Sequence, residues 1–123
     1  MAEDNAINQR VGKLILQRAG YQIDLVSDGS EAVAAHRNQP YDLILMDCQM
    51  PTMDGFEASR KIRELDGKQP VIIAVTANAL VGEREKCLEA GMNDYLSKPF
   101  QADQLVGVIR KWAVSRDDSG TPE

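Results

Sequence analysis

Apolar and polar positions along the chain fall into two alternating rhythms. Ile7, Val11, Leu14 and Ile15 recur at helical spacing and predict a helix with these residues on its apolar face, stopped at Gly20. Tyr21 to Val26 alternates at period two and predicts a strand, after which Ser27-Asp28-Gly29 turns the chain. A short helix follows through Ala32, Val33 and His36 and ends before Pro40. Leu43-Ile44-Leu45-Met46 is a continuous apolar run between Asp42 and Asp47, the pattern of a strand buried on both faces. Pro51 to Gly55 reads as loop. Ala58, Ile62 and Leu65 form one face of a helix from Phe56 to Leu65, closed by Asp66-Gly67. Val71 to Val75 is β-branched and predicts a second buried strand. A helix through Cys87 and Leu88 stops at Gly91, and Asp94 to Ser97 is a short strand cut by Pro99. Leu105, Val108, Ile109 and Trp112 mark the last helix. These elements predict one domain over residues 1–114, followed by a polar tail or linker over 115–123.

Strands alternating with helices imply a parallel sheet covered by helices on both faces. In such sheets ligands bind beyond the carboxyl ends of the strands. The residues at those ends are Asp47, Thr76 and Ser97-Lys98, with Glu3 and Asp4 at the start of the chain. If the three carboxylates converge, each pair at ~5 Å repels by roughly 3 kcal/mol at an effective dielectric of about 20. One lysine cannot neutralise that charge, whereas a hard divalent cation can. Oxygen-only ligands with few protein contacts suit Mg²⁺. A carboxylate beside a divalent cation, a hydroxyl and a lysine is equipped for phosphoryl transfer.

Composition narrows the alternatives. A chain of 123 residues holds one domain. A net charge of −5 and an aromatic content of 5% argue against nucleic acid, which attracts basic faces and stacks on aromatic rings. Cys48 and Cys87 match no metal spacing and read as reduced thiols. No window approaches eighteen apolar residues and no signal peptide precedes the acidic start, so the segment is expected in the cytoplasm without direct membrane contact. That expectation leaves room for a parent protein anchored in the inner membrane.

Five motifs in order carry a resemblance. They are Glu3-Asp4-Asn5, the run ending in Asp47, Met50-Pro51 followed by Met53-Asp54-Gly55, Val75-Thr76-Ala77-Asn78-Ala79, and Gly91-Met92 leading into Asp94-Tyr95-Leu96-Ser97-Lys98-Pro99. From Glu3 to about Val114 the chain resembles the receiver domains of two-component response regulators, most closely those of hybrid sensor histidine kinases. The resemblance implies a flavodoxin-like three-layer fold with a parallel five-stranded sheet in the order 2-1-3-4-5. It implies Asp47 as phosphoacceptor, and Mg²⁺ held by Glu3, Asp4, Asp47 and the main-chain carbonyl of Gln49. Thr76 and Lys98 would contact the phosphoryl group, Thr76 and Tyr95 would switch together, and Gln49 and Asn78 would tune dephosphorylation. The implied partners are a histidine kinase domain and a histidine phosphotransfer domain. The chain itself would accept phosphate without a kinase catalytic domain, inside a parent hybrid kinase.

Rival readings fit less well. A flavodoxin needs a hydroxyl- and glycine-rich phosphate loop where Glu3-Asp4-Asn5-Ala6 stands. A haloacid dehalogenase-type phosphatase needs a second Asp at the place of Gln49. The remaining alternative is a receiver-like docking module that is never phosphorylated. His36 reads as an ordinary surface or boundary residue. The first strand of the implied fold is largely absent, since only Met1-Ala2 precede Glu3-Asp4. Met1-Ala2 is expected to be the end of a strand whose earlier residues precede Met1. A chain truly beginning there is expected to be destabilised or to form a weak or strand-exchanged dimer.

Overall fold

The computed structural model describes residues 1–48, 50, 53–65, 67, 69–76, 83–97 and 101–120. In chain order the elements are α1 (Ala6–Arg18), α2 (Gly29–Asn38), β1 (Leu43–Asp47), α3 (Gly55–Glu64), β2 (Val71–Thr76), α4 (Glu83–Glu89), β3 (Asp94–Ser97) and α5 (Ala102–Gly120). Short polar side chains start the first three helices. Asn5 accepts the amides of Ile7 (2.9 Å) and Asn8 (3.1 Å), and Asp54 accepts that of Glu57 at 2.9 Å. At α2 the pairing is reciprocal: Asp28 accepts the Glu31 amide while Glu31 accepts the Ser27 amide. Gly20, at φ 94°, takes the left-handed turn that ends α1.

β1, β2 and β3 form a parallel sheet in that order, Leu43 opposite Val71 and Ile73 opposite Asp94. Beyond β1 the sheet continues as a stub. Ala2 bridges both Val26 and Met46 in parallel sense. The Ala2 amide donates to Leu45 O (2.8 Å), the Asp47 amide to Ala2 O (3.0 Å), and the Val26 amide to Met1 O (3.0 Å). Reading across gives Val26, Ala2, β1, β2, β3, which is the expected order with its first two members shrunk to single bridges.

The sheet separates two cores. Ala32 and Val33 of α2, Ala58 and Ile62 of α3 and Cys87 of α4 meet Ile44, Met46, Ile72 and Ala74 on one face. Leu16 of α1 and Leu105 and Ile109 of α5 meet Leu45, Val71, Ile73 and Val75 on the other. Odd and even residues of each strand thus go to opposite layers, which is why the runs at 43–46 and 71–75 are apolar throughout. Cys48 and Cys87 are free and buried.

Four sequence expectations change. The strand expected over Tyr21–Val26 is reduced to the bridge at Val26, whose amide donates to Met1 O and whose carbonyl accepts from the Glu3 amide. The α1 face of Ile7, Val11 and Leu14 is exposed, at 74%, 44% and 50%. Gly12 and Leu16 are the buried residues of that helix, one stripe around, where it lies over Met1 and α5. His36 is buried rather than superficial: its Nδ1 accepts the Tyr41 amide at 3.1 Å, which satisfies the ring inside the α2 layer. Finally, α5 continues to Gly120, through the polar positions from Ser115.

Candidate functional site

Asp47 is the last residue of β1, where the apolar run stops and the strand leaves the sheet, and it is 5% exposed. Its amide is held by Ala2 O, so the stub and the carboxyl end of β1 are tied together. Glu3 follows the stub directly. Its amide donates to Val26 O at 3.0 Å, its carbonyl accepts from Gln9 Nε2, and its Oε2 accepts the Asn5 amide at 3.2 Å. Glu3 is buried and Asp4 is exposed. The turn into α1 therefore sets both acidic side chains at the end of β1.

One carboxylate oxygen from each of Glu3, Asp4 and Asp47 lies within 4.8 Å of the others. At that spacing each ionised pair repels by roughly 3 kcal/mol at an effective dielectric of about 20. All three donors are hard oxygens, with one at the solvent edge. That chemistry fits a small divalent cation that keeps part of its water shell.

The loop after Asp47 is pinned on two sides. The Cys48 amide donates to Val75 O (3.0 Å) and the Gly55 amide donates to Cys48 O (3.1 Å). A Cβ on Gly55 would stand inside the van der Waals distance of Asp47 O, so only glycine lets α3 begin this close to the acidic end of β1. Ser59 Oγ then donates to Gly55 O at 2.8 Å. The sequence named Gly55 only as a motif residue. Its steric role depends on a contact eight positions back in the chain, which no local pattern shows.

Thr76 ends β2, is 2% exposed and stands in register with Ser97. Tyr95 pairs with Ala74. Ala74 and Thr76 are two apart on one strand, so Tyr95 and Thr76 occupy the same face of the sheet on adjacent strands. The ring of Tyr95 is half-buried against the core shared by α2, α3 and α4. Glu3, Asp4 and Asp47 are thus brought together, with Thr76 at the same end of the neighbouring strand. Lys98, Gln49 and Asn78 lie outside the described residues. The feature that sequence reasoning misplaced is the exposed apolar row Ile7, Val11 and Leu14, on the helix that begins at the acidic turn.

Comparison with known proteins bears on this geometry. The family model of the response regulator receiver domain matches residues 1–110. The signal transduction histidine-protein kinase BarA of Escherichia coli is 40% identical over 111 residues, covering 89% of this chain and 12% of the kinase. Among solved structures, the receiver domain of a Pseudomonas aeruginosa sensor histidine kinase, with a magnesium ion in its active-site cleft, is 50% identical. It superposes with a TM-score of 0.84 over 90% of this chain and 92% of that one. The receiver domain of the Saccharomyces cerevisiae response regulator Ssk1, solved with the histidine phosphotransfer protein Ypd1, is 31% identical. Its TM-score is 0.86 over 94% of this chain and 87% of that one. The chain spans only a small part of its curated relatives, 6% of one and 17% of another. A parallel sheet with acidic residues clustered at its carboxyl edge, and a family match over nearly its whole length, place the chain in the response regulator receiver domain family.

Proposed function

We propose that this chain is the phosphoacceptor module of a phosphorelay, taking a phosphoryl group from a phosphohistidine onto Asp47 and passing it to a histidine of a phosphotransfer protein. The observation that carries this reading is the convergence of Glu3, Asp4 and Asp47 within 4.8 Å at the carboxyl edge of the sheet. A carboxylate oxygen of Asp47 attacks phosphorus, the phosphorus–nitrogen bond breaks, and the imidazole leaves with that electron pair and takes up a proton. Onward transfer is the same exchange in reverse, onto a neutral imidazole. The three carboxylates would hold Mg²⁺, together with the Gln49 main chain. Bound there, the ion offsets the negative charge on the carboxylates and on the incoming phosphoryl oxygens. Thr76 supplies a hydroxyl donor for a phosphoryl oxygen and Lys98 a cation.

Phosphorylation adds up to about two negative charges at this edge. Movement of Thr76 toward them frees space on the shared sheet face, into which Tyr95 turns. Shifting such a pair from about 10% to 90% active takes about 2.6 kcal/mol, within reach of a few charge-assisted hydrogen bonds. Gln49 and Asn78 are assigned to the rate at which water removes the phosphate. The exposed row Ile7, Val11 and Leu14 is the surface against which a helical phosphotransfer protein packs while its histidine reaches Asp47. Among the described residues no helix is long and apolar enough to cross a membrane, in keeping with a cytoplasmic module of a larger histidine kinase.

Phosphotransfer tests the proposal. Radiolabelled phosphate on the histidine of a phosphotransfer domain should move to this chain in the presence of Mg²⁺ and return when unlabelled acceptor is added. Ile7→Asp with Val11→Asp should slow that exchange by about tenfold or more while leaving labelling by a small phosphodonor intact. Absence of transfer from a panel of such domains, with small-donor labelling preserved, would leave the chain a phosphoacceptor outside a relay.

A further inference from the structure

We infer that the outer face of α1 and α5 is a self-recognition surface, on which a second copy of this chain packs about a twofold axis with the helices antiparallel across it. An open groove of about 550 Å³ runs between the two helices. Val11, Leu14 and Ile15 of α1 and Val106 of α5 line it. Its charged rim is Asp103, in the first turn of α5, and Arg18 and Arg110, each farther along its own helix. Both helices start at the carboxyl edge of the sheet and run away from it, so the two arginines share the far end of the groove.

A twofold contact must be self-complementary, because each residue meets the symmetry mate of another. Both helices meet that demand. Asp103 and Arg110 are centred on Val106-Gly107, and Val11 and Arg18 are centred on Leu14-Ile15. Turning one copy end over end therefore sets Asp103 opposite Arg110 of the second copy and beside its Arg18, and the same pairing recurs at the other end. Val106, Leu14 and Ile15 meet apolar side chains near the axis. A parallel arrangement would set Asp103 on Asp103 and Arg110 on Arg110, so charge selects the antiparallel one.

Gly107 points to the same face independently. It is exposed in the middle of a helix, where glycine weakens the helix, and a Cβ on it would meet nothing within 4 Å. No neighbour among the described residues requires its missing side chain. Helical phase puts Asp103, Val106, Gly107 and Arg110 on one side of α5, opposite the buried Leu105 and Ile109. Gly107 thus leaves a notch beside the axis, where Val106 of the second copy arrives. Pairing covers Val11 and Leu14, so a paired copy cannot present that row to a phosphotransfer protein. This exclusion rests on the phosphorelay reading, whereas the pairing rests on the two helices alone.

The test mixes two variants of the 123-residue chain. Asp103→Arg makes the three charged positions of the rim all positive, and Arg18→Asp with Arg110→Asp makes them all negative. Sedimentation equilibrium up to about 1 mM protein covers weak contacts of this kind. The wild type should dimerise, and each variant alone should dimerise about tenfold more weakly or worse. Their equimolar mixture should form a heterodimer at least as tight as the wild-type pair, which also shows that both variants fold. Gly107→Gln should weaken the wild-type pair by about tenfold while raising the melting temperature of dilute monomer, since glutamine fills the notch and favours the helix. A wild type that stays monomeric to about 1 mM would overturn the inference. So would charge variants that dimerise as tightly as the wild type, which is what a strand-exchanged dimer held through the sheet would give. A mixture no tighter than its components, or undiminished pairing by Gly107→Gln, would overturn it as well.

Discussion

The carboxylate of Asp47 owes its position to groups that take no part in chemistry: Ala2 O on its amide and Gly55 packed against its carbonyl. Adding one methyl at Gly55 forces α3 off the end of β1. Gly55→Ala is expected to cost about 1–3 kcal/mol in urea unfolding and to slow labelling of Asp47, because the new atom meets backbone that cannot rotate away. Asp4 makes the opposite case. Removing a like charge from the cluster relieves repulsion when no cation is present. Asp4→Asn should therefore raise the melting temperature in EDTA and weaken Mg²⁺ binding by about tenfold or more in titration calorimetry. A lowered melting temperature in EDTA would contradict the repulsive cluster. Asp47 was legible in the sequence because an apolar strand must end somewhere, and its end is marked by an acid. The contacts of Gly55 and the burial of His36 were not legible, since both depend on how the chain folds back between elements. Gly55 meets the carbonyl of Asp47 and the Tyr41 amide meets His36 Nδ1, which no periodic pattern shows.

Among the elements, β3 and α5 are joined at Asp94. Trp112 Nε1 donates to its Oδ2 at 2.9 Å, the Tyr95 amide donates to Oδ1 at 2.8 Å, and Lys111 stands 3.5 Å from Oδ2. Burial pushes the Asp94 carboxyl up, but the Trp112 and Tyr95 hydrogen bonds and the Lys111 charge outweigh it and hold the carboxyl below its ordinary value. A carboxylate held below its unfolded value adds stability that is present above that value and lost as pH falls through the folded one. Trp112→Phe should accordingly lower stability by about 1 kcal/mol near neutral pH, with the gap closing in acid below about pH 4. An equal gap at both pH values would assign the loss to packing alone. Periodicity located α5 through Leu105, Val108, Ile109 and Trp112, yet it misjudged α1. Ile7, Val11 and Leu14 satisfy the helical period, but so does the neighbouring stripe of Gly12 and Leu16, and tertiary packing chose the second. A small residue at Gly12 is what admits Met1, and no hydrophobicity count registers that.

At the scale of the whole molecule, two strands buried on both faces carry the fold and the stub end of the sheet is thin. Native-state hydrogen exchange should find the slowest amides at Ile44, Ile72 and Ile73 and much faster exchange at Ala2, Glu3 and Val26, held by single bridges. Uniform protection across the sheet would contradict this gradient. The layer order and the parallel sheet were legible because continuous apolar runs alternated with amphipathic ones. The short first strand was legible too, whereas the reduction of Tyr21–Val26 to one bridge at Val26 was not, because its period-two pattern says nothing of which backbone groups find a partner. Phosphorylation of Asp47 joins all three scales, and one measurement addresses it directly: intact-mass spectrometry after exposure to acetyl phosphate with Mg²⁺. A single phosphoryl group on the wild type, none on Asp47→Asn and suppression by EDTA are the predicted result. Equal labelling of Asp47→Asn, or labelling indifferent to EDTA, would contradict it.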